Sequence, residues 1–338
     1  MRRLLYLSCL AIMTACTPTK QSTIDTTLQT KVDSILQNKM SEINAISGQA
    51  IVMEVQTGEI KAIVDEGISQ ESGLIRTASL LATLETGKIK LSDTIDVGEG
   101  VYMVHNRELL DHNWHRGGYG KLTTLQGLMV NSHIANYKNI ERAFTEEQAY
   151  FDMLNKMSYG QPENIEGLDS LKPAHFVTPN DSGWSNTSLA WFCIGYNQRI
   201  SPIQTLTFYN AIANNGKMVK PTLYKGKTEI INPQIASKAN IDSLQMALVK
   251  VVTEGLGKPA QSEKVQVAGV SGGSQISTDE DNSEGRVNTI YSVEYCGYFP
   301  AENPKYSIIV SMNKVGLPAS GNLMAGSVFK EIVDYMTK

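Results

Sequence analysis

Four of the five histidines fall between residues 105 and 133, with Asp111 among them. His112 and His115 form an H-x-x-H pair, which in a loop can hold Zn²⁺ when a third ligand converges. His133 is the candidate third ligand, and His105 lies nearby in sequence. The HNWH segment lacks the helix and glutamate of a metalloprotease motif, so the spacing offers metal-assisted hydrolysis as a reading without fixing it. The other available chemistry is acyl transfer to serine. A Ser and a Lys at i and i+3 share a helical face, so the amine can take the proton of a hydroxyl that is otherwise a poor nucleophile. That spacing occurs at Ser311–Lys314 and Ser327–Lys330. Ser311 closes a β-rich run, where i and i+3 face opposite sides, and Ser327 begins a terminal helical stretch.

The elements that must carry these residues follow from periodicity. From Ile24 to Ile43 the apolar residues Ile24, Leu28, Val32, Ile35, Leu36, Met40 and Ile43 form one helical stripe. Two β-rich runs, Ala50 to Val55 and Ile60 to Val64, flank the tetrapeptide QTGE and predict a hairpin. A helix is expected from about Ser72 to Glu85, stopped by Gly87. Residues 92 to 120 read mostly as loop, rich in Gly, His, Asn and Asp. Helical patterns then recur to about Ala213, broken by a loop from Gly160 to Ser185. After Lys220 the pattern predicts a helix near Ile241 to Thr253. Strands follow at Val265 to Val270, Tyr291 to Phe299 and Tyr306 to Met312, then a closing amphipathic helix from Ser327 to Met336. Hairpin, helical block, strands and terminal helix make an α+β order, not regular βαβ alternation.

The first residues address the chain. Arg2 and Arg3 precede a short apolar stretch, Leu4 to Met13, too brief to span a bilayer as a mature helix. Met13-Thr14-Ala15-Cys16 resembles a bacterial lipobox, with Met in place of the usual Leu, and implies cleavage before Cys16 and acylation there. The expected organisation is a signal peptide over 1–15, a polar tether over 16–23 and a domain over 24–338. No later run of about 18 apolar residues suggests a membrane helix. The net charge is −4, and about −6 once the two signal arginines are gone, which speaks against nucleic acid as a partner. Cys193 and Cys296 sit in apolar contexts typical of inert buried thiols. The compartment permits a disulfide between them, and the sequence leaves that pairing open.

Residues 184–222 read WSNTSLAWFCIGYNQRISPIQTLTFYNAIANNGKMVKPT. A G-Y turn, an S-P-x-Q helix start and an A-N-x-G-x-x-x-x-P helix end strongly resemble the core of penicillin-binding transpeptidases. QTGEIKAIV, LATLETGKI, TPND, VVTEGLG, GYFPAENPKYSIIV and AGSVFKEI extend the resemblance over nearly the whole mature chain. It implies a penicillin-binding-protein/β-lactamase-like fold: a five-stranded antiparallel sheet flanked by helices, beside an all-helical subdomain. The helix over 24–47, the hairpin over 48–72 and residues 222–338 would then belong to the sheet part, and about 73–221 to the helical part. Only about thirty residues lie between Cys16 and the hairpin, so the reading expects a bare domain on a lipid, without the pedestal of class B members.

The resemblance also fixes where three catalytic motifs should fall, and all three are altered. In S-x-x-K the serine attacks the stem peptide and the lysine takes its proton; aligned on LETG, those positions hold Gly73 and Arg76. Glycine has no nucleophile, and an arginine with a pKa above ~12 is no proton acceptor near neutrality. Arg76 either replaces the lysine as a holder of anions or pairs internally with Glu71 or Glu85. The second motif, S-x-N, becomes Asn131, Ser132 and His133. The third, K-T/S-G, becomes Val270, Ser271 and Gly272, which keeps the hydroxyl and glycine and loses the cation.

The leading expectation is a lipid-anchored, non-catalytic domain that binds a peptidoglycan stem peptide or a cell-wall synthesis protein, with no cofactor. Its ligand contacts would come from Arg76, Asn131, Ser132, His133, Ser271 and Gly272. The first alternative is an active D,D-transpeptidase, carboxypeptidase or related acyltransferase that uses Ser72, Ser132 or Ser271. The second is metal-assisted hydrolysis through His112, His115 and His133.

Overall fold

A computed structural model of the chain describes residues 20–66, 72–276 and 289–338. The expected signal peptide over 1–15, Cys16 and Glu71 lie outside the described residues. The large sheet has five antiparallel strands: β1 (Ala45–Glu54), β2 (Ile60–Glu66), β3 (Ala268–Ile276), β4 (Ile290–Phe299) and β5 (Tyr306–Val315). Their order is β3-β4-β5-β1-β2, so β3 forms one edge.

Side-chain alternation along β1 divides the interior into two layers. Ala50 and Val52 pack with Leu28, Val32, Leu36, Phe329 and Ile332 from helices α1 (Thr26–Ile43) and α9 (Ala325–Met336). Ile51 and Met53 face the larger core on the other side of the sheet. Asp25 caps α1 by accepting from the amides of Thr27 and Leu28, and Asn44 ends it at φ 53°.

The central helix of the larger core is α2 (Ile75–Glu85), in which every residue from Ile75 to Leu84 is buried. Its sequence IRTASLLATLE has one charge before its last residue, so almost any face can be turned inward, and Arg76 goes inside with the rest. Around it lie α3 (Thr124–Met129), α4 (His133–Ala143), α5 (Glu147–Lys156), α6 (Ser188–Phe192), α7 (Pro202–Ala213) and α8 (Lys238–Thr253). A capping box, Ser201 with Gln204, and Pro202 in the first turn start the wholly buried α7.

Three expectations shift. The helical part is not all helix: Thr94–Gly98 pairs with Gly120–Thr123, Val101–Val104 with Arg107–Leu110, and His175–Phe176 with Gln198–Arg199. In the second ribbon His105 turns the chain at φ 53°, a position where Gly or Asn is the usual signal. The helix expected from Ser72 starts at Ile75, and the strand expected over 265–270 runs from Ala268 to Ile276. Ser271 to Ser274 carries no β-propensity of its own, and pairing with β4 imposes the strand. Cys193 and Cys296 are both buried free thiols, so no disulfide joins them.

Candidate functional site

The start of α2 meets the edge strand β3 backbone to backbone. Ser72 and Gly73 precede the helix, Leu74 stands at its N-cap, and Arg76 is its second residue. A Cβ on Gly73 would lie 2.6 Å from the Gly273 carbonyl oxygen and 2.8 Å from its nitrogen. Gly272 makes the matching approach, since its Cβ would lie 2.9 Å from Leu74 N. Gly195, at φ +117°, closes on Ser72 from one side, and Gly321 covers the Gly272 carbonyl from the other. Four glycines thus let chain segments touch where a side chain would hold them apart. The Tyr209 hydroxyl, bonded to Leu74 O at 3.0 Å and Thr77 Oγ1 at 2.7 Å, fixes the first turn of α2. Gln198 Nε2 donates to Ser72 O at 3.0 Å.

Behind this contact lies Arg76, only 6% exposed. Its Nη2 donates to Ser271 O at 3.4 Å, while Nε and Nη1 have no acceptor. Burial pulls its pKa below the ordinary guanidinium value, against the opposing influence of Tyr209 and Glu294. A cavity of about 20 Å³ beside it is lined by Thr124, Ser132, Asn136 and Asn139. Arg76 is therefore enclosed, not displayed in an open cleft as an anion holder would be. It does not pair with Glu85, which accepts from Ser237 and Asn240 instead.

The second-motif residues arrive through the turn into α4. Asn131, at φ 56°, directs Nδ2 to both Ser271 O (3.3 Å) and Ser271 Oγ (2.9 Å). Ser132 caps α4 by accepting from Ala135 N and donates to Asp111 Oδ2 at 2.8 Å, while Asp111 Oδ1 accepts from Ile134 N. Burial raises the Asp111 pKa, and the bonds from Ser132 and the α4 amides draw it back. His133 Nδ1 bonds to Leu110 O at 2.9 Å. Burial, and then the nearby Arg76 charge, push its pKa down to about 3, so the ring is neutral at ordinary pH. Val270 joins the apolar core where the family motif has a cation.

The structure thus brings Gly73, Arg76, Asn131, Ser271 and Gly272 together. Ser132 and His133 stand one step behind them. The other serines have structural partners. Ser72 Oγ donates to Glu294 Oε2 at 2.9 Å, with both side chains buried. Ser327 Oγ donates to Met324 O while Lys330 pairs with Asp334. Lys314 Nζ donates to Val315 O and Gly316 O.

The histidines do not converge either. His112 Nε2 engages Val130 O and the Tyr119 hydroxyl, and His115 stacks edge-on with Trp114. No group of three metal-ligating side chains exists among the described residues. Sequence reasoning missed the inward turn of Asp111 as the anchor of α4, and Gly195, Gly321 and Glu294 as the surroundings of Gly73. The Gly272-Gly273 pair within a strand was the available signal of close backbone approach.

Comparison with known proteins agrees with this architecture. The family described as penicillin binding protein transpeptidase domain matches residues 48–334. Among curated relatives, penicillin-binding protein PbpB of Mycolicibacterium smegmatis is 23% identical, across 94% of this chain and 54% of its own. Peptidoglycan D,D-transpeptidase FtsI of Escherichia coli K12 is 21% identical, across 90% of this chain and 53% of its own. The chain spans about half the length of the curated relatives it matches. Among solved structures, the apo transpeptidase domain of Burkholderia pseudomallei penicillin-binding protein 3 superposes with a TM-score of 0.80. It is 20% identical and covers 94% of this chain and 95% of that one. The chain belongs to the penicillin-binding protein transpeptidase domain family.

Proposed function

We propose that this domain is a non-catalytic member of its family, held at the cell envelope by a lipid on Cys16, that works in peptidoglycan assembly by binding. The observation that carries the reading is the contact at Gly73. The position that would hold the nucleophile has no hydroxyl, and its Cβ direction is filled by Gly273 at 2.6 Å. Arg76 adds to this, because a guanidinium stays protonated and takes no proton from a serine. Peptidoglycan assembly as the setting is supported by the relatives named penicillin-binding protein and D,D-transpeptidase. The partner is a stem peptide or another wall-synthesis protein, and no nucleic acid or cofactor enters the reading.

The test is labelling with a fluorescent penicillin followed by denaturing electrophoresis. The expected result is no covalent band. A band that survives denaturation and vanishes in Ser72→Ala, Ser132→Ala or Ser271→Ala would overturn the non-catalytic reading and identify the nucleophile.

A further inference from the structure

Besides the glycine contacts and the 2.9 Å bond from Asn131 Nδ2 to Ser271 Oγ, two long polar contacts to one carbonyl hold β3 over Arg76. Ser271 O accepts from Arg76 Nη2 at 3.4 Å and from Asn131 Nδ2 at 3.3 Å, both beyond the usual range for such bonds. The other donors of Arg76, Nε and Nη1, are buried without an acceptor. The Glu294 and Asp111 carboxylates attract its charge, but one long bond to a neutral oxygen leaves the guanidinium short of hydrogen-bond acceptors. The cavity beside it, about 20 Å³, has room for a water molecule and not for a carboxylate. On the other side the Ser271 carbonyl covers the guanidinium, so an anionic group reaches it from the sheet edge only if β3 moves. The means of movement are present: at Gly73 and Gly273 the nearest atoms are backbone, and Gly272 faces the side chains of Leu74 and Glu294.

We propose that β3 is a latched cover over Arg76, in which the Ser271 carbonyl stands in for an anion and a carboxylate-terminated ligand displaces it. A carboxylate offers the guanidinium two short charge-assisted bonds in place of the one long bond to the Ser271 carbonyl. That difference favours the open state, because a ligand shifts an equilibrium only by its preference for one form. Displacement frees Ser271 to Gly273 from α2, so occupancy is reported by a change in the sheet edge. The proposal rests on the reading of the site as a binding cleft.

The experiment is hydrogen exchange on the full chain, comparing β3 with β5 as an internal reference. Arg76→Met removes the bond to Ser271 O, and Asn131→Gly removes those to Ser271 O and Oγ; glycine keeps the left-handed backbone that Asn131 adopts. Exchange in β3 is expected to rise about 5- to 10-fold in Arg76→Met, the loss of one hydrogen bond, and further in Asn131→Gly, with β5 unchanged. N-acetyl-D-Ala-D-Ala, followed by calorimetry, is expected to speed β3 exchange in the wild type and to have no effect in Arg76→Met. Unchanged β3 exchange in both variants overturns the latch. A probe that does not bind, or that binds while leaving β3 exchange equal or slower, overturns displacement. A penicillin adduct alongside an intact latch response would remove the non-catalytic reading alone.

Discussion

Restoring a side chain at Gly73 is the sharpest perturbation of this site. In Gly73→Ala the new Cβ meets Gly273 O at 2.6 Å and Gly273 N at 2.8 Å, where ordinary contacts begin near 3.4 Å. Both neighbours are backbone, so no side chain can swing aside and β3 itself must retreat. Overpacking of this kind costs about 1–3 kcal/mol. The retreat also stretches the bonds from Arg76 and Asn131 to Ser271 O, worth about 1 kcal/mol each. The sum, about 3–5 kcal/mol, corresponds to a fall in Tm of about 5–8 °C for a domain of this size. Gly183→Ala is the control, since nothing lies within 4 Å of its added Cβ, and its change should stay within about 0.5 kcal/mol. Differential scanning calorimetry reads both variants. Gly73→Ser should fall similarly and remain unlabelled by fluorescent penicillin, because Arg76 takes no proton from it. A Gly73→Ala protein as stable as Gly183→Ala would refute the closed contact from which these numbers come.

Acid should weaken the fold through His133. Its folded pKa is about 3, below the unfolded value near 6.5, so the unfolded chain binds more protons between those values. Stability from this residue is therefore complete above about pH 6.5 and is lost as pH falls towards 3. Its slope is at most about 1.4 kcal/mol per pH unit, reduced because the residue is partly exposed. His133→Gln should flatten urea midpoints measured from pH 7 to pH 4, and an unchanged slope would assign the acid sensitivity elsewhere. Cys16→Ala should release the protein from membranes or leave the precursor uncut, read by fractionation and mass. A variant that still matures and sediments with membranes would remove the lipid anchor.

The sheet and most helices were legible because burial sorts their residues with a clear period. Leu28, Val32, Leu36 and Met40 on α1 are one example, and the alternating faces of β1 are another. The altered motif positions were also legible, since a glycine or arginine at a fixed distance from LETG needs no structure to be noticed. Closure was not. It depends on Gly195, Gly272, Gly273 and Gly321 arriving at one point from separate segments, and a residue without a side chain writes no periodicity into the sequence. The histidine cluster misled for a related reason. Proximity along the chain put His112, His115 and His133 together, but each found a nearer partner in Val130, Trp114 or Leu110. The sequence left Arg76 open between an anion holder and an internal pair; its depth follows from α2, which lacks the polar face that would have kept its charge at the surface.

After Cys9 and Cys16 the chain has only two sulfhydryls, Cys193 and Cys296, and neither has any surface open to solvent. Burial raises the pKa of both, so neither offers a thiolate to an oxidant or alkylating reagent while the fold is intact. Cys193 lies just after α6, and Cys296 lies on β4 beside the edge strand. Together they make a native two-channel probe of breathing. Reagent capture at Cys296 ahead of Cys193 would time the detachment of the sheet edge, and simultaneous capture would time the collapse of the whole domain.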